Sequence, residues 1–286
     1  MIRTAAVAAA ALLALALAGR APAAEPEPDK DAALPVFILA GQSNMDGAGT
    51  VEELPAELKG PQASALFVRF WDTTFKPLDP VKLGKSFGPE VTFGAEMAKA
   101  LNRPVGMIKL AEGGTSLEEH WNPASQDKRG FYRRLTGYVA DIQTKQKNVK
   151  VMGMIWMQGE ADAKYHSKTV GQYRDKLDAL IDGCRKEFGA PDMPFVCGRV
   201  NPSGAQYLKQ VREAQETCKR PGYAWIDCDD LEKHADKLHY NSKGQLELGR
   251  RFAAAMLKLV GEEQKKAGAA GPTPGASAGP DKGSQP

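Results

Sequence analysis

The chain has 286 residues, a formal net charge of +3 and a mean hydropathy of −0.40. Its basic residues are scattered among acidic ones with no aromatic-studded basic stripe, which argues against a nucleic-acid reader. Its four cysteines form no C-x-x-C pair, so the spacing does not support a zinc site.

Met1 to Ala24 opens with a basic residue, Arg3. An Ala/Leu run from Ala5 to Ala18 and the small-residue stretch Ala21-Pro22-Ala23-Ala24 follow. That layout predicts a secretory signal peptide and a secreted or periplasmic protein. The alternative is an uncleaved anchor, but the apolar run is short of the ~18 residues a spanning helix needs. No stable membrane insertion is therefore expected after cleavage. Residues 25–33 read as a linker and 34–260 as one domain of ordinary size. Residues 261–286 carry no hydrophobic side chain larger than Ala and read as a disordered Gly/Pro/Ala-rich tail.

Within 34–260, short apolar runs alternate with amphipathic patterns. Strands are predicted at Pro35–Ala40, Pro104–Leu110, Lys150–Met157, Pro194–Val200 and Ala224–Asp227, all apolar enough to be buried on both faces. Helices are predicted at Thr92–Asn102, Phe131–Gln143, Tyr173–Phe188, Ala205–Cys218 and Ser242–Val260. The stretch Gly47–Gly88 is a mixed insert. Strand–helix alternation predicts an α/β fold with a parallel sheet and helices on both faces. Ligands in such sheets bind beyond the carboxyl ends of the strands. Cys184, Cys197, Cys218 and Cys228 allow a disulfide in an exported protein, with Cys218–Cys228 favoured over the other pairings. Buried free thiols are the equal alternative.

The strand ends carry the chemistry. The first ends in Gly41-Gln42-Ser43-Asn44-Met45, the second in Glu112-Gly113-Gly114-Thr115-Ser116, the third in Gln158-Gly159-Glu160-Ala161-Asp162. Asp236-Lys237-Leu238-His239 follows near the C-terminus. A serine hydroxyl attacks an ester only when a base takes its proton, and the base must be held by a carboxylate on its other nitrogen. Ser43 can be the nucleophile, His239 the base and Asp236 its partner. Gly113 and Gly114 allow backbone N–H groups to face a substrate, and the Gln158 amide is a further donor, so an oxyanion hole can form there. Gln42, Asn44 and Trp121 are candidate substrate contacts; Trp121 and Trp71 can stack on a sugar ring. Each residue also has a bland reading: Ser43 a helix cap, Gly113-Gly114 a turn, Glu160 an acid at a helix start. The G-x-S-x-G elbow of α/β-hydrolases is absent, because Met45 stands at its second glycine.

The blocks GQSNM (Gly41–Met45), GGTSLEEHW (Gly113–Trp121), WMQGEAD (Trp156–Asp162) and DKLHYNSKG (Asp236–Gly244) resemble those of the SGNH hydrolase superfamily. Within it they are similar to the sialate O-acetylesterase domain family, which includes the acetylxylan esterases of carbohydrate esterase family six. The resemblance implies a flavodoxin-like three-layer α/β/α sandwich. It implies the Ser43–His239–Asp236 set, the Ser43, Gly114 and Gln158 oxyanion donors, and a place for Glu160 beside them, either orienting His239 or supporting Gln158.

The function expected is a serine esterase removing O-acetyl groups from carbohydrate, of the acetylxylan or O-acetyl sialic acid type, with no metal or cofactor. The alternatives are a carbohydrate-binding protein that lost catalysis and another short-chain acyl hydrolase. The sugar and the oligomeric state are left open.

Overall fold

The structure is a computed structural model and describes residues 32–68, 72–126, 130–165 and 170–269. The expected signal peptide, the linker up to Asp31, Trp71 and residues 270–286 of the expected tail lie outside the described residues.

The strands run in chain order β1 (Leu34–Gly41), β2 (Gly49–Thr50), β3 (Gln62–Val68), β4 (Lys76–Leu78), β5 (Ser86–Phe87), β6 (Val105–Ala111), β7 (Val149–Met157), β8 (Phe195–Gly198) and β9 (Tyr223–Ile226). The helices are α1 (Ser43–Asp46), α2 (Ala56–Lys59), α3 (Pro80–Leu83), α4 (Glu90–Leu101), α5 (Phe131–Lys145), α6 (Glu160–Tyr165), α7 (Tyr173–Glu187), α8 (Leu208–Glu216) and α9 (Ser242–Ala269). A seven-stranded sheet has the order β4-β3-β6-β1-β7-β8-β9, parallel throughout except for the β3–β4 pair. The five predicted strands are its centre and one edge. They occupy the order of a flavodoxin-like sheet, with β1 between β6 and β7.

β1 is central because Val36 to Ala40 are wholly buried, as an uninterrupted apolar run requires when both faces are covered. Helix α4 packs on α9 and on β3 and β6, while α9 also packs on β7, β8 and β9. Helices α5, α7 and α8 form the other packed group. The doubly wound α/β class is therefore present as expected. The insert does more than expected: β3 and β4 extend the sheet beyond β6, and β2 pairs with β5 in a separate two-stranded sheet. Helix α9 also runs nine residues past the expected domain end at Val260, to Ala269. Glu, Gln, Lys and Ala there are good helix formers, so propensity carries the last turns without an apolar face.

Candidate active site

The carboxyl ends of β1, β6 and β7 converge, and this is where strand order reverses about β1. Gly41 ends β1 so close to β7 that a Cβ there would lie 2.1 Å from the Met157 carbonyl oxygen. The chain then turns into α1, anchored by the Gln42 N–H on Met157 O at 2.9 Å. Ser43 is the first residue of that one-turn helix.

The other half of the site arrives from the far end of the chain. Asp236 Oδ1 accepts from the N–H groups of Leu238 (2.9 Å) and His239 (3.0 Å), and Lys237 takes a left-handed φ of 55° to close the turn. Asp236 Oδ2 then meets His239 Nδ1 at 2.7 Å, and His239 Nε2 stands 3.0 Å from Ser43 Oγ. The turn that holds the carboxylate therefore also aims the ring. Burial is the largest single influence on Asp236 and opposes its ionisation. The two backbone N–H groups and the imidazole outweigh it and hold the carboxyl down to about 2. His239 and Asp236 keep side-chain exposures of 31% and 46%, so the pair opens to solvent and to a ligand.

The loop after β6 passes beside the serine. A Cβ on Gly113 would sit 3.6 Å from Ser43 Cβ, and Gly114 takes φ +72°. Among the described residues, the N–H groups of Ser43, Gly113 and Gly114 have no hydrogen-bond partner. Donors of this kind, unpaired and adjacent to a hydroxyl, suit a developing oxyanion.

Four expected contacts need correction. The Gln158 amide is completely buried, and its Nε2 donates to Thr115 O (2.9 Å), Asp162 Oδ2 (2.5 Å) and Gln42 Oε1 (3.3 Å). Those donors face the base of the glycine loop, so Gln158 shapes the loop and does not present its amide to a ligand. Gln42 is also buried. Its Oε1 accepts from Gly159 and Ala161 N–H at 3.4 and 3.3 Å, and so caps the start of α6. Trp121 is fully buried edge-on against Trp156 (centroids 5.0 Å apart) and its Nε1 donates to Thr115 Oγ1 at 2.9 Å; it offers no ring to a sugar. Asn44 is buried as well: Nδ2 donates to Glu160 Oε1 (2.7 Å) and Leu238 O (3.2 Å), and Oδ1 accepts from Tyr240 N–H (3.0 Å). Glu160 thus hydrogen-bonds Asn44, and among the described residues no hydrogen bond joins it directly to His239 or to Gln158. Burial pushes the Glu160 carboxyl up, and the Asn44 donor works against that.

Two positions escaped the sequence reading. Asp162 accepts from Leu117 N–H (2.9 Å) as well as from Gln158, and Tyr173 Oη donates to the Gln158 carbonyl and amide oxygens at 3.0 and 3.2 Å. The four-residue spacing of Gln158 and Asp162 is the only local signal. Nothing in the sequence ties Tyr173 to them. The cysteines are free: Cys184, Cys197 and Cys228 are buried, Cys218 partly so, and the Cys218–Cys228 pairing is absent. Burial drives the Cys228 thiol up to about 12, which leaves it inert as a nucleophile.

Comparison with known proteins agrees with this architecture. A family model described as carbohydrate esterase, sialic acid-specific acetylesterase, matches residues 33–258. A probable carbohydrate esterase of Arabidopsis thaliana is 28% identical over 243 residues, spanning 78% of this chain and 90% of the plant protein. The X-ray structure of that plant protein superposes with a TM-score of 0.69 at 23% identity, covering 79% of this chain and 98% of the other. A carbohydrate acetylesterase from Xanthomonas citri gives 0.63 at 19% identity, covering 80% of this chain and 57% of the other. NanS gives 0.61 at 15%, covering 80% and 98%. At these identities the superpositions speak for the fold.

Proposed function

Because the chain belongs to the carbohydrate esterase family of sialic acid-specific acetylesterases, and so to the carboxylic ester hydrolases, we propose that it removes O-acetyl groups from carbohydrate through an acetyl-enzyme on Ser43. The observation that carries this reading is the chain of contacts from Asp236 Oδ2 to His239 Nδ1 (2.7 Å) and from His239 Nε2 to Ser43 Oγ (3.0 Å). With its proton on Nδ1, His239 donates to Asp236 and leaves Nε2 as the acceptor for the serine proton.

Attack then proceeds in balanced steps. His239 Nε2 takes the Ser43 proton as Oγ bonds to the acetyl carbonyl carbon. The carbonyl oxygen becomes an oxyanion facing the N–H groups of Ser43 and the Gly113-Gly114 turn. Collapse breaks the bond to the sugar oxygen, which leaves with the proton from His239. Water repeats the sequence on the acetyl-enzyme, and acetate leaves. Asp236, ionised far below neutral pH, stabilises the imidazolium in both halves.

The substrates this reading names are acetylated xylan and O-acetyl sialic acid. The test is acetate release from both, with wild type and Ser43→Ala. Wild type should release acetate from at least one, and the variant should lose turnover while keeping its melting temperature. Acetate release by Ser43→Ala at the wild-type rate would refute the nucleophile assignment.

A further inference from the structure

We infer that Asn44 and Glu160 are a positioning pair that grips the backbone on both sides of His239 and holds its ring against Ser43, without either residue touching the ester. The inference rests on the reading of Ser43 and His239 as nucleophile and base, and the experiment below separates the two.

The geometry is specific. Asn44 Nδ2 donates to Leu238 O at 3.2 Å and Asn44 Oδ1 accepts from Tyr240 N–H at 3.0 Å. Leu238 and Tyr240 are the two chain neighbours of His239. One amide therefore spans the residue whose ring must reach Ser43. A side chain here needs both a donor and an acceptor; Asp offers acceptors alone when ionised, and Leu offers neither.

An amide can also sit the wrong way round. Flipped, its NH2 would face the Tyr240 N–H and its oxygen the Leu238 carbonyl, and both bonds would be lost. Glu160 removes that ambiguity. Its Oε1 accepts from Asn44 Nδ2 at 2.7 Å, so only the observed orientation avoids setting two oxygens together. Glu160 is 3% exposed, and among the described residues its Oε2 has no hydrogen-bond partner. A carboxyl group buried with so little satisfaction is costly. The 2.7 Å bond to Asn44 is its principal contact, which is consistent with a role in fixing that amide.

Placement in the chain strengthens the point. Asn44 follows Ser43 in the one-turn helix α1, so the element that presents Oγ also grips the histidine loop. The play between nucleophile and base is then limited to that of two hydrogen bonds. A third bond, from Gln245 Nε2 to Asn44 O at 3.4 Å, ties the same residue to α9.

The experiment measures kcat and KM on p-nitrophenyl acetate, the rate of Ser43 labelling by a fluorophosphonate, and thermal melting. Asn44→Ala and Glu160→Ala should each lower kcat by about 10²-fold, the usual effect of a displacement near 1 Å, with KM little changed. Labelling should slow in parallel. Glu160→Gln keeps an acceptor for Asn44 and should stay within about tenfold of wild type. Asn44→Ala strands a buried carboxylate and can fail to fold; Asn44→Ala/Glu160→Gln removes that charge and should show the same loss of kcat. Asn44→Ala/Glu160→Ala should match the slower single variant within about twofold, because the two act as a unit. Folded variants with wild-type kcat, or losses confined to KM, overturn the inference. If Ser43→Ala is inactive while these variants are not, the positioning pair alone fails. If Ser43→Ala still turns over, the nucleophile reading fails and takes the pair with it.

Discussion

Replacing Gln158 with Leu separates two roles that the sequence alone runs together. An oxyanion donor lost from a preorganised site costs about 10²–10³ in kcat and little stability. A buried scaffold amide behaves differently. Its Nε2 donates to the Thr115 carbonyl at 2.9 Å and to the Asp162 carboxylate at 2.5 Å, both in fully enclosed surroundings. Leu fills the volume but donates nothing. The orphaned carbonyl costs about 1–3 kcal/mol and the lost bond to a carboxylate about 1.5–3 kcal/mol. Asp162 keeps the Leu117 N–H at 2.9 Å, and Tyr173 Oη keeps the Gln158 carbonyl at 3.0 Å, so the sum falls short of full additivity. About 3–5 kcal/mol is the expected destabilisation. At ~2–4 °C per kcal/mol for a domain of this size, melting should drop by roughly 6–20 °C. Urea unfolding with a linear extrapolation gives the same quantity independently. Some loss of kcat will accompany it, because the glycine loop loses its support. Stability is the deciding measurement: a Gln158→Leu protein that melts with wild type yet loses 10²–10³ in kcat would mean that the amide does reach the reacting carbonyl.

Trp121→Ala should cost about 3–5 kcal/mol through the cavity it opens against Trp156, while the surviving folded protein keeps its KM for polymeric substrate. A raised KM on xylan with unchanged stability would restore Trp121 as a sugar platform. Asp236 supplies a pH prediction. Its folded pKa of about 2 lies below the unfolded ~3.9, so its stabilising contribution is complete above that upper value and is lost as pH falls through about 2. Asp236→Asn should therefore flatten the stability profile between roughly pH 4 and pH 2, and equilibrium unfolding at stepped pH will read it; an acid limb identical to wild type would contradict the assignment.

Much of this site was legible because its chemistry is local. Asp236 and His239 form their contact within one turn, using backbone N–H groups three residues apart at most. The strand ends were legible because mainly apolar runs stop abruptly at Gly41, Ala111 and Met157. What escaped depends on partners far apart in sequence. Asn44 reads as a polar residue beside Ser43, yet its partners are 116 and 196 residues away. Gln158 reads as an amide at a strand end, and only the arrival of Thr115 turns its donors inward. β3 escaped for a different reason: Gln62 to Val68 is Ala- and Ser-rich with few fully buried positions, so it lacks the apolar continuity of a central strand. Trp121 shows the limit of composition, since a tryptophan near the glycine loop looks the same from sequence whether it faces a sugar or the core.

The two glycine positions that frame Ser43 make opposite demands, and substitution should expose the difference. At Gly41 a methyl group would lie 2.1 Å from the Met157 carbonyl oxygen and 2.7 Å from its carbon, both backbone atoms of the neighbouring strand. Neither strand can yield, because Gly41 and Met157 are paired at the end of the β1–β7 ladder and Gln42 N–H is bonded to the same carbonyl. Gly41→Ala should therefore force β1 and β7 apart where the sheet presents Ser43, giving a protein that is insoluble or lacks a cooperative transition. At Gly114 nothing lies within 4 Å of the added methyl, and only the positive φ of +72° resists it. That strain is about 1–2 kcal/mol, so Gly114→Ala should fold, melt slightly earlier and retain its backbone donor. The comparison is made by melting both variants and measuring kcat on those that fold. A Gly41→Ala protein as stable as Gly114→Ala would show that β1 and β7 need no such close approach, and that the serine turn is held by α1 and the histidine loop instead.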